Sequence, residues 1–131
     1  MPAPEYARNL LIMARKDFDA LRGMIDNPLF ADEIFGFHAQ QAVEKSLKAW
    51  LALLFVDFPL THDVSRLLAL LEEVGAEGAE GYWHLVELNM FAVQARYESG
   101  LMEFEQALDR AAILEDIQAL LMVVEAMKTQ L

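Results

Sequence analysis

Apolar residues recur three or four positions apart along almost the whole chain, and no segment shows the alternation of apolar and polar residues typical of strands. This spacing places apolar side chains on one face of a helix. The sequence therefore predicts an all-α fold, an antiparallel up-and-down bundle of four to five helices. Because 131 residues suffice for one well-filled core but not for two ordinary domains, we expect a single helical domain over residues 1–131.

Turn and cap residues divide the pattern into helices. The predicted helices are Glu5 to Met24, Asp32 to Val56, Asp63 to Val74, Tyr82 to Ala95 and Met102 to Lys128. Pro28 ends the first because the residue before a proline is disfavoured in helical geometry. Thr61 or His62 is expected to cap the third.

A stripe of polar residues runs along the second predicted helix, opposite its apolar side. At 100° per residue its members fall within about an 80° arc. We call this set the polar stripe: His38, Gln41, Lys45 and Lys48. One imidazole, one amide and two cations suit a phosphate or the carboxylates of a partner. A solvated basic face has the same spacing, so both interpretations stay open.

Two further segments contain candidate ligand-binding residues. Thr61 to Asp63 precede the third helix, and Gln94 to Tyr97 lie near the end of the fourth. Arg96 before a helix end can reach an anion, and Tyr97 adds a stacking face and a hydroxyl. The alternatives are a backbone-bonded cap for His62 and a surface guanidinium for Arg96. His62, Arg96 and Tyr97 complete the candidate ligand-binding set.

The net charge of −11 is unevenly distributed. Residues 72–87 carry five acids and no base, and residues 98–131 carry seven acids against two bases. Between His38 and Arg66, three acids balance three bases and two histidines are added. Broad binding to duplex nucleic acid is therefore not expected, whereas a small anion pocket is compatible with the charge pattern.

Metal, membrane and secretory signals are missing from the sequence. The chain has no cysteine, and no two of its three histidines stand three or four residues apart, so no metal site is expected. No run of 18 apolar residues could span a membrane, and the first residues do not resemble a secretory signal. We expect a cytoplasmic protein without membrane contact.

The apolar content around the second helix exceeds what one core can absorb, which predicts a homodimer. The residues concerned are Phe30, Ile34, Phe35, Phe37, Leu53, Phe55 and Phe58. A loop folded back over them is the alternative.

Three motifs, in this order, resemble the HEPN (higher eukaryotes and prokaryotes nucleotide-binding) domain. They are FHAQQAVEKSLKAWL from Phe37, THDVSRLL from Thr61, and ARYE from Ala95. The resemblance covers roughly residues 5–128. It implies a dimerising bundle of four to five helices, often encoded beside a small nucleotidyltransferase as a two-component, toxin–antitoxin-like module.

The resemblance does not extend to the ribonuclease motif of the family. HEPN members that cut RNA without a metal use an arginine and a later histidine separated by four to six intervening residues, and the two copies meet across the dimer. After Arg96 these places hold Leu101, Met102 and Glu103, and no histidine follows His84. Because general acid-base catalysis then lacks its imidazole, no catalytic residue is assigned.

The resulting prediction is a homodimer that binds a nucleotide or phosphate and a nucleotidyltransferase partner, without a cofactor. One alternative is a ribonuclease toxin that acts on RNA with His38 or His62 as its base. The other is a purely structural dimer whose acidic C-terminal helix binds a basic partner.

Overall fold

The computed structural model describes residues 4–92 and 108–128. Within these residues the chain forms five helical segments and no strands, which confirms the all-α prediction. The segments are α1 (Pro4–Met24), α2 (Asp32–Leu53), α3 (Val64–Glu73), the 3-10 helix η1 (Ala79–Phe91) and α4 (Arg110–Lys128). None of these helices combines the length and apolar character needed to cross a membrane.

The central element is α2, which packs against α1, α3, η1 and α4. Its own fully buried residues include Phe35, Leu47 and Trp50. Burying side chains of this size stabilises the fold by about 1.5 to 3 kcal/mol each. From α1 the buried residues are Ala7, Leu11, Ala14, Phe18, Leu21 and Met24. Leu10 is only partly buried and packs against the core.

The helices α2 and α3 end in the same backbone motif. After α2, Phe55 N–H donates to Ala52 O at 3.0 Å and Val56 N–H donates to Leu51 O at 2.9 Å. After α3, Gly75 occupies the position that Phe55 occupies after α2, and both have a positive φ, of 75° and 60° respectively. This is the Schellman arrangement, which stops α2 at Leu53 rather than at the predicted Val56.

The N-terminal cap of α3 is Asp63 rather than the expected Thr61 or His62. The Asp63 carboxylate accepts from Ser65 N–H at 2.9 Å and from the Ser65 hydroxyl at 2.6 Å. Asn89 of η1 donates to the same carboxylate at 2.8 Å. The Ser65 and Asn89 hydrogen bonds lower the pKa of Asp63 below its ordinary value of 3.8, against the opposing effect of burial.

The expected α-helix from Tyr82 to Ala95 is, as far as it is described, the 3-10 helix Ala79–Phe91. A 3-10 helix has three residues per turn, and the buried residues Leu85, Leu88 and Phe91 are spaced by three. Phe91 packs directly over Gly36 of α2, where an added Cβ would come within 2.5 Å of its ring. The predicted residues beyond Ala92, and those of the last helix before Leu108, lie outside the described residues.

Candidate functional site

The polar stripe lies on α2, and the structure divides it between two carboxylates. One is Asp17 of α1, which contacts His38 and Lys45. The other is Glu44 of α2 itself, which contacts Lys48. In the described part of the chain, every buried side-chain nitrogen and oxygen has a hydrogen-bond partner. The predicted residues therefore belong to two bonded clusters rather than to one open row of cations.

The first cluster is built on Asp17, and we call it the Asp17 cluster (Asp17, His38, Lys45). His38 Nδ1 lies 3.0 Å from Asp17 Oδ1, and Lys45 Nζ donates to Asp17 Oδ2 at 2.7 Å. His38 and Lys45 are two helical turns apart on α2, so both face α1. The exposed fractions of the Asp17 and Lys45 side chains are 12% and 21%, which makes this a partly desolvated ion pair.

The second cluster is built on Glu44, and we call it the Glu44 cluster (Gln40, Glu44, Lys48, His62). Glu44 Oε2 accepts from Lys48 Nζ at 3.1 Å, and Glu44 Oε1 lies 3.0 Å from His62 Nδ1. Gln40 Nε2 donates to Glu44 Oε1 at 3.1 Å and to the main-chain oxygen of His62 at 2.9 Å. Only 5% of the Glu44 side chain is exposed. These bonds fix the segment that precedes α3 to the middle of α2.

The amide of Gln41 joins the stripe to the Glu44 cluster. Gln41 Nε2 donates to Gln40 Oε1 at 2.8 Å, and Gln40 is itself fully buried. Lys48 lies between the Glu44 carboxylate and the face of Phe58, with Nζ 5.9 Å from the ring centre. The cation–π contact and the ion pair hold its ammonium in a fixed position.

The charges of the two clusters nearly cancel. Lys45 and Lys48 are each balanced by one carboxylate, and the two histidines determine any net positive charge. Of the His62 side chain 75% is exposed, against 34% for His38. An anion reaching this surface would meet imidazoles at the rim and two lysines that already have partners.

The candidate residues Arg96 and Tyr97 lie outside the described residues. His62, by contrast, is connected to Lys48 of the stripe through Glu44, while its predicted capping role belongs to Asp63. His84, which had no partner identifiable from the sequence, lies 2.9 Å from Asp116 of α4. No group of three or more potential metal-ligating side chains occurs within residues 4–92 and 108–128.

Two cavities in the described part of the chain contain none of the stripe residues. One, of about 360 Å³, lies between α1 and α4 and is lined by Leu11, Ile12, Arg15, Lys16, Glu125 and Lys128. The other, of about 430 Å³, lies between η1 and α4. Neither of these two cavities is therefore the predicted anion site.

The family model of the HEPN domain matches residues 7–127, which is nearly the whole chain. The chain belongs to the HEPN domain family. No significant match was found among curated proteins or among solved structures. The match includes the polar stripe, Asp17 and Glu44, so both clusters are part of the HEPN domain.

Sequence reasoning missed the two carboxylates that organise the site of this HEPN domain. Glu44 precedes Lys48 by four residues and follows Gln40 by four, a spacing that could have indicated their contact. Asp17 lies 21 residues before His38, and no local pattern connects them. Only the packing of α1 on α2 brings Asp17 to the stripe.

Proposed function

We propose that this HEPN domain is a homodimeric component of a two-component module, binding a nucleotide or phosphate and a small nucleotidyltransferase partner. Family membership supports a nucleotide-related role. The observation that carries the proposal is the Asp17 cluster. Two nitrogens of α2 converge on the two oxygens of one carboxylate, at 3.0 and 2.7 Å. Phosphate oxygens accept hydrogen bonds from histidine and lysine in the same way.

The proposed ligand-binding set is unchanged from the sequence prediction: His38, Gln41, Lys45, Lys48, His62, Arg96 and Tyr97. The stripe supplies the cations, and the exposed His62 adds a donor from the segment before α3. Because the protein as a whole is strongly acidic, an anion is attracted only where such bases are locally concentrated.

Titration calorimetry with ATP and with inorganic pyrophosphate tests the ligand-binding half of the proposal. Lys45→Ala should weaken binding by about 1 to 3 kcal/mol, the usual contribution of a charge-assisted hydrogen bond. Lys16→Ala removes the same charge from an exposed position on α1 and serves as the control. Absence of binding by the unaltered protein, or equal losses in both variants, would contradict a phosphate site at the stripe.

The homodimer is supported by apolar residues that the single chain leaves exposed. Of the residues that predicted it, Phe35 and Leu53 are buried within the chain, whereas Phe30, Ile34 and Phe55 are 40%, 38% and 46% exposed. Light scattering should give twice the chain mass of 14.8 kDa. A monomer mass at micromolar concentration would refute the dimer.

The partner half of the proposal is tested by affinity capture of the tagged protein from its host. A nucleotidyltransferase recovered in a fixed stoichiometric ratio supports the two-component module. Recovery of the HEPN protein alone, under conditions in which both proteins are expressed, would count against it.

A second candidate function, a ribonuclease that needs no metal, is favoured by the environment of the histidines. Asp17 and Glu44 each bond the Nδ1 atom of one histidine, His38 and His62 respectively. A carboxylate in this position orients the ring and leaves Nε2 for proton transfer.

RNA cleavage that persists with a chelator and disappears in Arg96→Ala, and in either His38→Asn or His62→Asn, would support this candidate. His84→Asn is the matched control, since His84 also has a carboxylate partner but lies between η1 and α4. Intact RNA at high protein concentration would exclude it.

A further inference from the structure

Asp17 occupies the hydrogen-bond donors that the proposed phosphate ligand would use. Its two oxygens face His38 and Lys45, and 12% of its side chain is exposed. The negative charge lies 2.7 Å from Lys45 Nζ. At this distance, and with limited access of water, one carboxylate offsets most of the attraction that the lysine could exert on a second anion.

The two carboxylates of the site differ in how freely they can leave it. Glu44 is almost fully buried and has three side-chain partners, so its removal would expose several polar groups. Asp17, with 12% of its side chain exposed, has two side-chain partners, so fewer contacts hold its carboxylate in place. Only the Asp17 cluster therefore combines donors for an anion with an occupant that can be displaced.

We propose that Asp17 is a built-in competitor for the anion, and that it sets the affinity of the stripe for phosphate groups. In the free protein it holds His38 and Lys45, and an incoming phosphate must displace it or share Lys45 with it. This inference rests on the proposed phosphate site and adds its regulation. If Asp17 instead only positioned His38 and Lys45 for the ligand, removing its charge would not tighten phosphate binding.

Asp17→Asn tests the inference, because the amide keeps the size of the side chain and removes its charge. Calorimetry with inorganic pyrophosphate at low ionic strength should show about tenfold tighter binding than the unaltered protein. Asp19→Asn makes the same change of net charge two residues away, where 58% of the aspartate side chain is exposed. It should alter the affinity by less than about twofold.

Equal or weaker binding by Asp17→Asn, with clear binding by the unaltered protein, would overturn the competitor role and leave the proposed function intact. Absence of binding in both proteins would overturn the competitor role and the phosphate site together. Binding only by Asp17→Asn would support Asp17 as the occupant of these donors but would contradict phosphate binding by the unaltered protein.

A second measurement does not depend on any variant. Nitrogen NMR of the His38 ring should show the Nδ1 signal change when pyrophosphate is added, because displacement removes its carboxylate partner. The His84 ring, bonded to Asp116, provides the internal control. An unchanged His38 signal at saturating pyrophosphate would contradict displacement.

Discussion

Arg110, the first residue of α4, forms an ion pair of 3.0 Å with Asp32, the first residue of α2. The same guanidinium donates to main-chain oxygens of Met24, Asn27 and Phe30, in the last turn of α1 and the turn that follows. Only 15% of the Arg110 side chain is exposed. One side chain thus joins three helices at one end of the bundle.

Arg110→Ala should lower the free energy of unfolding by about 2 to 4 kcal/mol, because it removes the ion pair with Asp32 and the guanidinium's hydrogen bonds to three main-chain oxygens. Urea denaturation measures the loss. Arg22→Ala is the control, since the Arg22 side chain is 66% exposed and its ion pair with Asp19 spans 3.9 Å. Arg22→Ala should lower the free energy of unfolding by less than about 0.5 kcal/mol. Similar losses in the two variants would refute the joining role of Arg110.

Gly36 provides a test of the contact between α2 and η1. Gly36→Ala should destabilise the protein by about 1 to 3 kcal/mol although alanine favours helices, since the new Cβ meets the Phe91 ring. Gly23→Ala, in α1, has no atom within 4 Å of the new Cβ and should stabilise by about 0.5 to 1 kcal/mol. Thermal unfolding should show a lower melting temperature for Gly36→Ala and a higher one for Gly23→Ala. Recovery of stability in Gly36→Ala with Phe91→Leu would confirm that the ring is responsible.

The limits of α1 and the start of α2 were predictable because their signals are local. The apolar periodicity and Pro28 act within a few residues. The form of η1 was not predictable on the same basis. A spacing of three between Leu85, Leu88 and Phe91 also fits one face of an α-helix, so these residues alone do not distinguish the two forms.

The stripe was predictable as a face of α2, but its bonding was not. Helical geometry fixes which residues lie together on one side, so His38 and Lys45 were found. Their partner Asp17 belongs to another helix, and the sequence contains no measure of how α1 is rotated against α2. Arg110 was missed for the same reason, since its acceptors lie more than 75 residues earlier.

At both Schellman ends, glycine should be the favoured residue at the position with positive φ. Phe55→Gly should stabilise the protein by about 1 kcal/mol, because a positive φ is unfavourable for a side chain with a Cβ. Gly75→Ala should destabilise by about the same amount, since it introduces that strain after α3. Chemical denaturation of both variants measures the two changes in the free energy of unfolding. A loss of stability in Phe55→Gly would show that the packing of the phenyl ring outweighs its backbone strain.

The cap of α3 should weaken in acid. The pKa of Asp63 is lowered in the folded protein, so the charged carboxylate contributes stability above its ordinary pKa of 3.8, and this contribution is lost as the pH falls through the folded value. Asp63→Ala should cost about 0.5 to 2 kcal/mol at neutral pH. Asp63→Asn keeps a capping oxygen, and its difference from the unaltered protein should vanish at low pH. A difference in the free energy of unfolding that does not change with pH would contradict the role of the charged Asp63 carboxylate in capping α3.

The Glu44 cluster also limits how this sequence can diverge. Replacing Glu44 alone leaves Lys48 without its counter-charge, and replacing Gln40 alone removes a hydrogen-bond donor from Glu44 and from the main-chain oxygen of His62. Each single step therefore passes through a less stable protein, whereas a joint change to well-packed apolar residues need not. Over evolutionary time the cluster should behave as one inherited unit, whose members are exchanged together or not at all.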